Sequence, residues 1–366
     1  MKKVIVSGAS GQDGSYMCEY LLEEGYLVLG AMRRTSQPIL SNLEKCLSHP
    51  NFKVVHLDLN DVHSVTSLIK DEKPDYFINF GACAFVPDSW NSPALVMQTN
   101  AISLIHILEA VRAYAPTCRI YSSGSSEQWG DVLETPQNEE TPMRPRSIYG
   151  VSKCAASLIC KVYRESYNLY VVHGVLLNHE SERRQSCYLT RKVTLGIANI
   201  VHAIRNNKSF ESIKLGNLYA KRDWSHAKDF ILGIWMMMNQ EVYNPSLVGV
   251  DVIKNLKGYV LASGETHEIK TFVELSCEHA GIKGKWVGEG LDEKFIMSES
   301  NGELFNNPSN VIVEVSPEFF RPADVMLLQG SADLIKKELG WSPKISFNQL
   351  VKLMVEHDIE NYTKSS

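Results

Sequence analysis

Four residues of this sequence have the types and the spacing of a site that oxidises a hydroxyl group. Ser125 and Glu127 stand two positions apart, and Tyr149 and Lys153 stand four positions apart. On a helix, positions i and i+4 share a face, so the Lys153 ammonium can lower the pKa of the Tyr149 phenol toward neutrality. Tyr149 would then remove the hydroxyl proton, and Ser125 would hydrogen-bond the same substrate oxygen. These residues predict oxidation of an alcohol by loss of hydride.

The tyrosine–lysine spacing occurs a second time, at Tyr188 and Lys192, so the spacing alone is not diagnostic. Context favours the first pair, because Tyr149 begins a predicted helix and Ser125 follows a predicted strand. Tyr188 lies instead in a polar stretch after the last predicted strand of the sheet. The alternative for the first pair is a packed aromatic ring beside a surface lysine.

Glu127 distinguishes between the reactions that such a site can perform. Once a C4 hydroxyl of a sugar has become a ketone, the proton on C5 is acidic. One carboxyl group can remove that proton and then protonate a departing C6 hydroxyl. A simple dehydrogenase or epimerase needs no such group. Glu127 therefore predicts loss of water, and a plain helix-start residue is the alternative.

A glycine-rich segment at the N-terminus predicts a dinucleotide site. Glycines 8, 11 and 14 lie between a predicted strand and a predicted helix. In that context they allow a tight turn and bring backbone amides to a pyrophosphate at the helix N-terminus. An ordinary glycine turn is the alternative. The predicted cofactor contacts in this segment are Gly8, Ser10, Gly11, Gln12, Asp13 and Gly14.

The end of the second predicted strand bears on which dinucleotide is bound. An acidic residue is usual there when the ribose carries a free 2′-hydroxyl. This strand ends in Arg33 and Arg34, whose guanidinium groups suit a 2′-phosphate. The pair predicts NADP rather than NAD, and a solvated arginine pair in a loop is the alternative.

Strands and helices alternate through the first half of the chain and predict a doubly wound parallel (Rossmann) sheet. Ligands of such sheets bind beyond the carboxyl ends of the strands, where Asp58, Leu59, Gly81 and Ala82 fall. The pattern loosens after about residue 178 and predicts a smaller mixed α/β lobe. We assign residues 1–177, with about 220–248 returning, to the NADP-binding domain. Residues 178–219 and about 249–366 form the predicted nucleotide-sugar lobe, with a surface loop over 288–310.

Composition limits the partners of this protein. The chain has 366 residues, of which 44% are hydrophobic and 22% charged, and a formal net charge of −5. Without basic blocks, a broad nucleic-acid or anionic-membrane surface is not expected. The eight cysteines form no CxxC motif and predict reduced thiols, no metal site and a cytoplasmic protein. Two lysines run straight into the first strand and leave no room for a signal peptide.

Along nearly its full length the sequence resembles the GDP-mannose 4,6-dehydratase family of extended short-chain dehydrogenases/reductases. The likeness rests on many short motifs in order. They are Gly11-Gln12-Asp13-Gly14-Ser15-Tyr16, Arg33-Arg34, Ser125-Ser126-Glu127, Thr141-Pro142, Pro145-Arg146-Ser147-Ile148-Tyr149, Asn178-His179-Glu180-Ser181, Thr190-Arg191-Lys192, Leu215-Gly216-Asn217-Leu218, Lys221-Arg222-Asp223-Trp224, His226-Ala227-Lys228-Asp229, Phe320-Arg321-Pro322 and Leu339-Gly340-Trp341.

The resemblance implies an NADP-dependent conversion of a GDP-sugar, most simply GDP-mannose, to its 4-keto-6-deoxy form. Tyr149 would act at C4 with Lys153, and Glu127 would act at C5 and C6 before hydride returns to C6. Ser125 takes a position that is usually threonine. The family also implies a homodimer or homotetramer. Its further matches are His179 and Arg184 near the cofactor, and Asn178, Lys192, Arg222 and Arg321 on the nucleotide-sugar.

The chain departs from the family pattern at three places. Cys83-Ala84-Phe85 replaces a usual Gln-Ser-His, Leu95 replaces a tyrosine, and Gln185 replaces a glycine. These changes bear on the identity of the sugar, for which a GDP-heptose is an alternative. A GDP-sugar epimerase or ketoreductase on the same scaffold is a further alternative. A non-catalytic dinucleotide-binding regulator is the remote one, which the complete Ser125/Tyr149/Lys153 set disfavours.

Overall fold

The structure, a computed structural model, describes residues 1–36, 38–241, 256–300, 303–304, 310–319 and 327–362. The strands of this part of the chain are β1 (Lys3–Ser7), β2 (Leu27–Met32), β3 (Phe52–His56), β4 (Tyr76–Asn79), β5 (Arg119–Ser123), β6 (Val171–Leu176), β7 (Asn178–Glu180), β8 (Ile213–Leu215), β9 (Lys221–Arg222), β10 (Trp224–His226), β11 (Val260–Leu261), β12 (His267–Glu268), β13 (Ile282–Val287), β14 (Lys294–Ser300), β15 (Glu303–Leu304), β16 (Val311–Val315) and β17 (Leu327–Leu328).

The α-helices of the same part are α1 (Gln12–Glu23), α2 (Glu44–Leu47), α3 (Val62–Glu72), α4 (Asp88–Asn91), α5 (Pro93–Met97), α6 (Ser103–Tyr114), α7 (Ile148–Tyr167), α8 (Leu189–Arg205), α9 (Ala227–Met238), α10 (Ile269–His279), α11 (Asp333–Leu339) and α12 (Phe347–Asn361). A π-helical segment, Gln98–Ile102, joins α5 to α6. Short 3-10 turns also occur, and one of them, Ser126–Gln128, follows β5.

The chain divides into two compact units. The first comprises Met1–Leu177, Ala227–Gly264 and Gly330–Pro343, and the second comprises the segments between and after them. The first unit contains a parallel sheet of seven strands in the order β11-β6-β5-β4-β1-β2-β3. The predicted doubly wound fold is confirmed.

Helices cover the sheet of the first unit because its strands are apolar on both faces. Ile5, Phe77 and Ile120 belong to one buried cluster with apolar residues of α3, α6 and α7. Their neighbours Val4 and Val6 point the other way and are also fully buried. On the sheet's flanks α1 packs with α9, and α3 packs with α6. Burial of both faces is typical of a parallel sheet that is covered by helices on each side.

The second unit is built from small mixed sheets and three longer helices. Its largest sheet has the path β13-β14-β16-β8, with β15 paired to β14, and two smaller sheets are β12-β9-β17 and β10-β7. Helices α8 and α12 pack together, and α10 packs on both. Asp358 of α12 is buried and forms an ion pair with Arg191 of α8. It also accepts a hydrogen bond of 2.7 Å from Thr194 Oγ1, which ties α12 to α8.

The bounds of the units differ from those assigned from the sequence. Residues 256–264 and 330–343 belong to the first unit, because β11 extends its sheet beside β6 and α11 packs on α9. Residues 220–226 belong to the second unit, because β9 and β10 pair there with β12 and β7. The sequence pattern alone does not say which sheet these short strands join, so the strand pairing is needed to assign each set to its unit.

The predicted surface loop over 288–310 is wrong for its central part. Residues 294–300 form β14, which pairs with β13 and β16. Phe295 and Met297 alternate with more exposed residues and are buried, as in a half-buried strand. The charged residues around this alternation concealed it in the sequence.

The segment Pro93–Tyr114 is long and apolar enough to cross a membrane by length and composition. Half of its most apolar stretch is buried inside the protein. A core helix has the same properties, and α6 packs here against α3 and α7. The segment therefore serves as a covering helix of the first unit.

Candidate active site

The glycine-rich turn connects β1 to the N-terminus of α1. Gly8 has φ +69°, a conformation that L side chains rarely adopt. A Cβ on Gly14 would lie 2.2 Å from the Gly8 carbonyl oxygen, so only glycine allows α1 to start this close to the turn. Gly11 is the N-cap residue and has no side chain with which to occupy the first backbone N–H groups. This turn has the features that bind a pyrophosphate.

The other predicted residues of the turn support its shape. The Ser10 carbonyl accepts a hydrogen bond of 3.0 Å from the side-chain amide of Asn42. Gln12 is buried and donates to the Asp13 carboxylate over 3.1 Å. The predicted cofactor contacts between Gly8 and Gly14 thus belong to one turn, which side-chain hydrogen bonds stabilise.

A cavity of about 500 Å³ lies at the ends of β2 and β3. The parallel register places Met32 beside His56, which brings the residues after both strands together. Asp58 is held there by its own turn, where its carboxylate accepts from the Asn60 N–H over 2.9 Å. The basic and polar groups of the cavity suit an anion. Its lining is Arg33, Arg34, Thr35, His56, Leu57, Asp58 and Ser64.

The segment after β4 is fixed at two points. Gly81 N–H donates to Ser7 Oγ over 3.1 Å, and a Cβ on Gly81 would lie 2.6 Å from the buried side chain of Leu59. The amide of Asn100 binds both the N–H and the carbonyl of Cys83, over 2.8 and 3.1 Å. The segment containing Ala82 is therefore held between β1 and the π-helical segment.

Asn100 also connects this segment to helix α7. Its amide donates to Ser152 Oγ over 3.1 Å, and Ser152 donates to the Tyr149 carbonyl over 2.6 Å. Asn100 is not recognisable from the sequence, because a π-helical turn inside an apolar helix leaves no periodic signal. Such turns are frequent at functional sites.

Ser125 and Glu127 occupy one tight turn after β5. Ser125 Oγ accepts from the Glu127 N–H over 3.3 Å, and the Ser125 N–H donates to Gln128 Oε1 over 3.0 Å. This reciprocal capping box opens the 3-10 turn Ser126–Gln128. Both predicted side chains are half-buried.

Helix α7 brings Tyr149 and Lys153 to the same turn. Ser147 caps α7 by accepting from the Gly150 N–H over 3.0 Å. A Cβ on Gly150 would lie 2.5 Å from the Glu127 carbonyl oxygen, so glycine lets the two backbones touch. The structure thus places the Glu127 backbone against the first turn of α7, the turn that carries Tyr149.

The ammonium of Lys153 is buried beside the Tyr149 ring. Its Nζ lies 5.7 Å from the ring centroid and donates to the Ser123 carbonyl over 2.7 Å. Burial lowers the pKa of Lys153 to about 8, against an opposing attraction from Asp13. Lys153 therefore stays charged at neutral pH. Its ammonium is attracted by the Asp13 carboxylate of the glycine-rich turn.

The remaining predicted residues lie in the second unit, except Arg321, which lies outside the described residues. Asn178 and His179 belong to β7, which pairs with β10. Arg184 forms an ion pair of 3.2 Å with the buried Glu180. Its guanidinium lies 3.6 Å from the ring centroid of Tyr188.

Lys192 and Arg222 lie on different elements of the second unit. The Lys192 ammonium lies 3.4 Å from the ring centroid of Phe319. Burial lowers the pKa of Lys192, and nearby Glu318 opposes that shift. Arg222 ends β9 and donates to the Lys221 carbonyl over 2.9 Å. Within the described part of the chain, no three His, Cys, Asp or Glu side chains could hold a metal ion together.

The seven-stranded sheet, the glycine-rich turn and the Tyr149/Lys153 helix define an extended short-chain dehydrogenase/reductase. Two solved structures share the fold. A dTDP-glucose 4,6-dehydratase from Bacillus anthracis, in complex with NAD, has a TM-score of 0.74 and 20% identity over 99% of this chain and 98% of its own. A UDP-glucose 4-epimerase from Thermotoga maritima, with UDP-glucose, has a TM-score of 0.76 and 19% identity over 99% of each chain. A dehydratase and an epimerase share this fold, so the fold alone does not define the reaction.

Sequence comparison resolves the family within that class. Residues 5–354 match the family described as GDP-mannose 4,6 dehydratase. A GDP-mannose 4,6-dehydratase of Vibrio cholerae serotype O1 is 38% identical over 98% of this chain and 94% of its own length. The human GDP-mannose 4,6 dehydratase is 34% identical over 97% of this chain and 91% of its own. The chain belongs to the GDP-mannose 4,6-dehydratase family.

Proposed function

We propose that this protein converts GDP-mannose to its 4-keto-6-deoxy form with NADP as the cofactor. One observation carries the proposal: the Ser125–Glu127 turn lies against the first turn of α7, with the buried Lys153 beside the Tyr149 ring. We infer that the Ser125 hydroxyl, the Glu127 carboxylate, the Tyr149 phenol and the Lys153 ammonium face one substrate site. An epimerase would need no carboxylate at that place.

The cofactor fits three features of the first unit. The N-terminus of α1, with glycine as its N-cap residue, suits a pyrophosphate, and Gly8 packs closely against the segment after β4. The cavity with Arg33 and Arg34 suits a 2′-phosphate and supports NADP over NAD. When bound, the nicotinamide would supply the hydride acceptor for C4 and the hydride donor for C6.

The side chains divide the proton transfers between them. Tyr149 removes the proton of the C4 hydroxyl, helped by the nearby charge of Lys153, and Ser125 hydrogen-bonds the same oxygen. Glu127 removes the acidified C5 proton and returns it to the C6 oxygen, which leaves as water. As hydride returns to C6, the proton that Tyr149 took from the C4 hydroxyl is delivered to C5, so the sugar loses one water and the cofactor is unchanged overall.

The second unit supplies groups of the chemistry that a nucleotide-sugar requires. Lys192 and Arg222 provide positive charge for a diphosphate, and Asn178 provides an amide for the sugar or base. We assign His179 and Arg184 to the cofactor, as the family resemblance implies. We also propose a homo-oligomer, and a cytoplasmic location because all eight cysteines are free thiols.

The test is to incubate the purified protein with GDP-mannose and NADP, and to follow the product mass and the NADPH absorbance. We expect the loss of one water per sugar with no net NADPH. Glu127→Gln should reduce water loss by about 100-fold or more, because it removes the only assigned C5 base, while NADP affinity stays unchanged. Unchanged substrate mass, or NADPH formed in proportion to product, would reject dehydration in favour of epimerisation or ketoreduction.

Activity on a second GDP-sugar tests the role of the segment after β4. Cys83, Ala84 and Phe85 are less polar than the usual family residues, so a related GDP-sugar such as a GDP-heptose is the specific alternative. A GDP-heptose should be tested beside GDP-mannose in the same assay. A higher kcat/KM for the heptose would replace mannose in this proposal without changing the reaction.

A further inference from the structure

A buried imidazole lies behind the Ser125–Glu127 turn. His173 is on β6, opposite Ser122 of β5 in the parallel register. Its Nε2 lies 3.0 Å from Gln128 Oε1, and its Nδ1 lies 3.2 Å from Ser122 Oγ. His173 and Gln128 are 7% and 1% exposed, so neither can exchange these bonds for bulk water.

The donors and acceptors of this chain of bonds follow from its members. Gln128 Oε1 can only accept, and it already accepts from the Ser125 N–H over 3.0 Å. His173 must therefore donate from Nε2–H, and its Nδ1 accepts from the Ser122 hydroxyl. Burial, with the positive charges of Lys153 and Arg164, lowers the pKa of His173 to about 3. The imidazole is thus neutral, and its single proton stays on Nε2.

The backbone of Gly124 packs closely against His173 and Gln128. The Gly124 N–H donates to the Gly174 carbonyl over 2.7 Å, which joins the end of β5 to β6. A Cβ on Gly124 would lie 2.6 Å from His173 Nε2 and 2.7 Å from Gln128 Oε1. The imidazole and the amide are therefore held close together under the turn, and their bond fixes the orientation of the Gln128 side chain.

We infer that His173 and Gln128 are positioning residues for the Ser125 hydroxyl and the Glu127 carboxylate. His173 orients the Gln128 amide, the amide holds the Ser125 N–H, and Ser125 Oγ holds the Glu127 N–H. Neither His173 nor Gln128 is assigned a contact with the sugar. The inference rests on the proposed function, since it assigns the pair a role in the loss of water. A displacement of about 1 Å at such a site can cost about 100-fold in rate.

The test uses pairs of variants in the full chain. His173→Met and Gln128→Met keep the approximate size of each side chain and remove the bond between them. His173→Gln keeps a donor near the place of Nε2. We expect both methionine variants to lose about 100-fold in kcat for water loss, with KM and NADP affinity within about threefold of wild type. His173→Gln should recover most of that loss.

Two further readouts separate positioning from general destabilisation. A Glu127 carboxylate that is out of place should slow the C5 step more than C4 oxidation, so NADPH should accumulate transiently in the methionine variants. The pH profile should keep its wild-type midpoints, because a neutral His173 contributes no titration. Unchanged kcat in both methionine variants, or an equal loss in His173→Gln, would overturn the inference.

Hydrogen exchange tests the same inference without substrate. The amides of Ser125 and Glu127 should exchange about tenfold or more faster in the methionine variants, because a bond that holds the turn is lost. Equal exchange rates in wild type and variants would overturn the inference whatever the activity. If wild type itself releases no water, the proposed function fails and the exchange experiment alone decides the role of the pair in the turn.

Discussion

At the scale of single residues, Lys153 shows how the fold adjusts an ionisable group. The ammonium is 5% exposed and is held by a backbone carbonyl and by the attraction of Asp13. Under the proposed function, the Lys153 charge acts where it is poorly solvated, next to the Tyr149 phenol that would give up its proton. The result is a lysine whose pKa falls within the range of ordinary assay buffers.

The first prediction concerns the pH dependence of this lysine. Raising the pH through about 8 removes the Lys153 proton and with it the charge that stabilises the Tyr149 phenolate. We therefore expect kcat/KM, which reports on the free enzyme, to fall above that pH. Lys153→Arg keeps its charge to much higher pH, so its alkaline fall should move upward even at a lower rate. A wild-type kcat/KM that stays level from about pH 7 to about pH 10 would contradict the assignment.

The second prediction concerns the choice of cofactor. Arg33→Ala and Arg34→Ala should each weaken NADP binding by about 10- to 100-fold, the value of one charge-assisted hydrogen bond. NAD affinity should change little, because it has no 2′-phosphate. Calorimetry with both cofactors measures the difference. Arg112→Ala removes an exposed arginine from α6 and is the matched control. Equal losses for NADP and NAD would show that the cavity does not hold the phosphate.

Residue types and spacing make Ser125, Glu127, Tyr149 and Lys153 the catalytic candidates of the sequence. They were not enough to find His173, which lies 45 positions from Gln128. A bond across that separation exists only because β5 and β6 are neighbours in the sheet. Partners of this kind leave no local pattern, so they become visible only with the fold.

At the scale of elements, the site depends on how closely α7 approaches the turn after β5. The strands and the longer helices of the first unit were predictable, since buried parallel strands and amphipathic helices have distinct periods. The π-helical segment and β14 were not. The first hides inside an apolar helix, and the second has too many charged neighbours for its alternation to stand out.

The third prediction tests the contact between α7 and the turn. In an exposed helix, Gly→Ala stabilises by about 1 kcal/mol. Gly150→Ala should do the opposite, because its Cβ would lie 2.5 Å from the Glu127 carbonyl and push the helix away. We expect kcat to fall by at least about tenfold with NADP affinity retained. Ser157→Ala on the same helix is the control, and a fully active Gly150→Ala would show that the contact is not needed.

At the scale of the whole molecule, the first unit exposes apolar side chains on two adjacent elements. Val151, Leu158 and Val162 of α7 are more than a third exposed, at spacings that share one helical face. Leu95 and Ile102, in the helical stretch that packs beside α7, are exposed as well. A second copy of the chain is the partner that we propose for this face.

The fourth prediction follows from that proposal. Leu158→Asp places a charge in the centre of the face and should shift the protein to a single chain of 41.1 kDa. Light scattering after gel filtration measures the mass. Leu353→Asp, on α12 of the second unit, makes the same change at another exposed leucine and should leave the oligomer intact. An unchanged mass for Leu158→Asp would exclude this face.

The discontinuity of the first unit has a consequence for synthesis on the ribosome. When residues 1–177 have emerged, six strands of the sheet exist, but α9 has not yet been made. Helix α9 packs on α1, and β11 closes the sheet beside β6. Until both arrive, the nascent chain carries an uncovered apolar face and an unpaired strand edge, the features that recruit chaperones or promote aggregation. Translation speed between codons 178 and 261 therefore sets how long the half-finished sheet stays exposed.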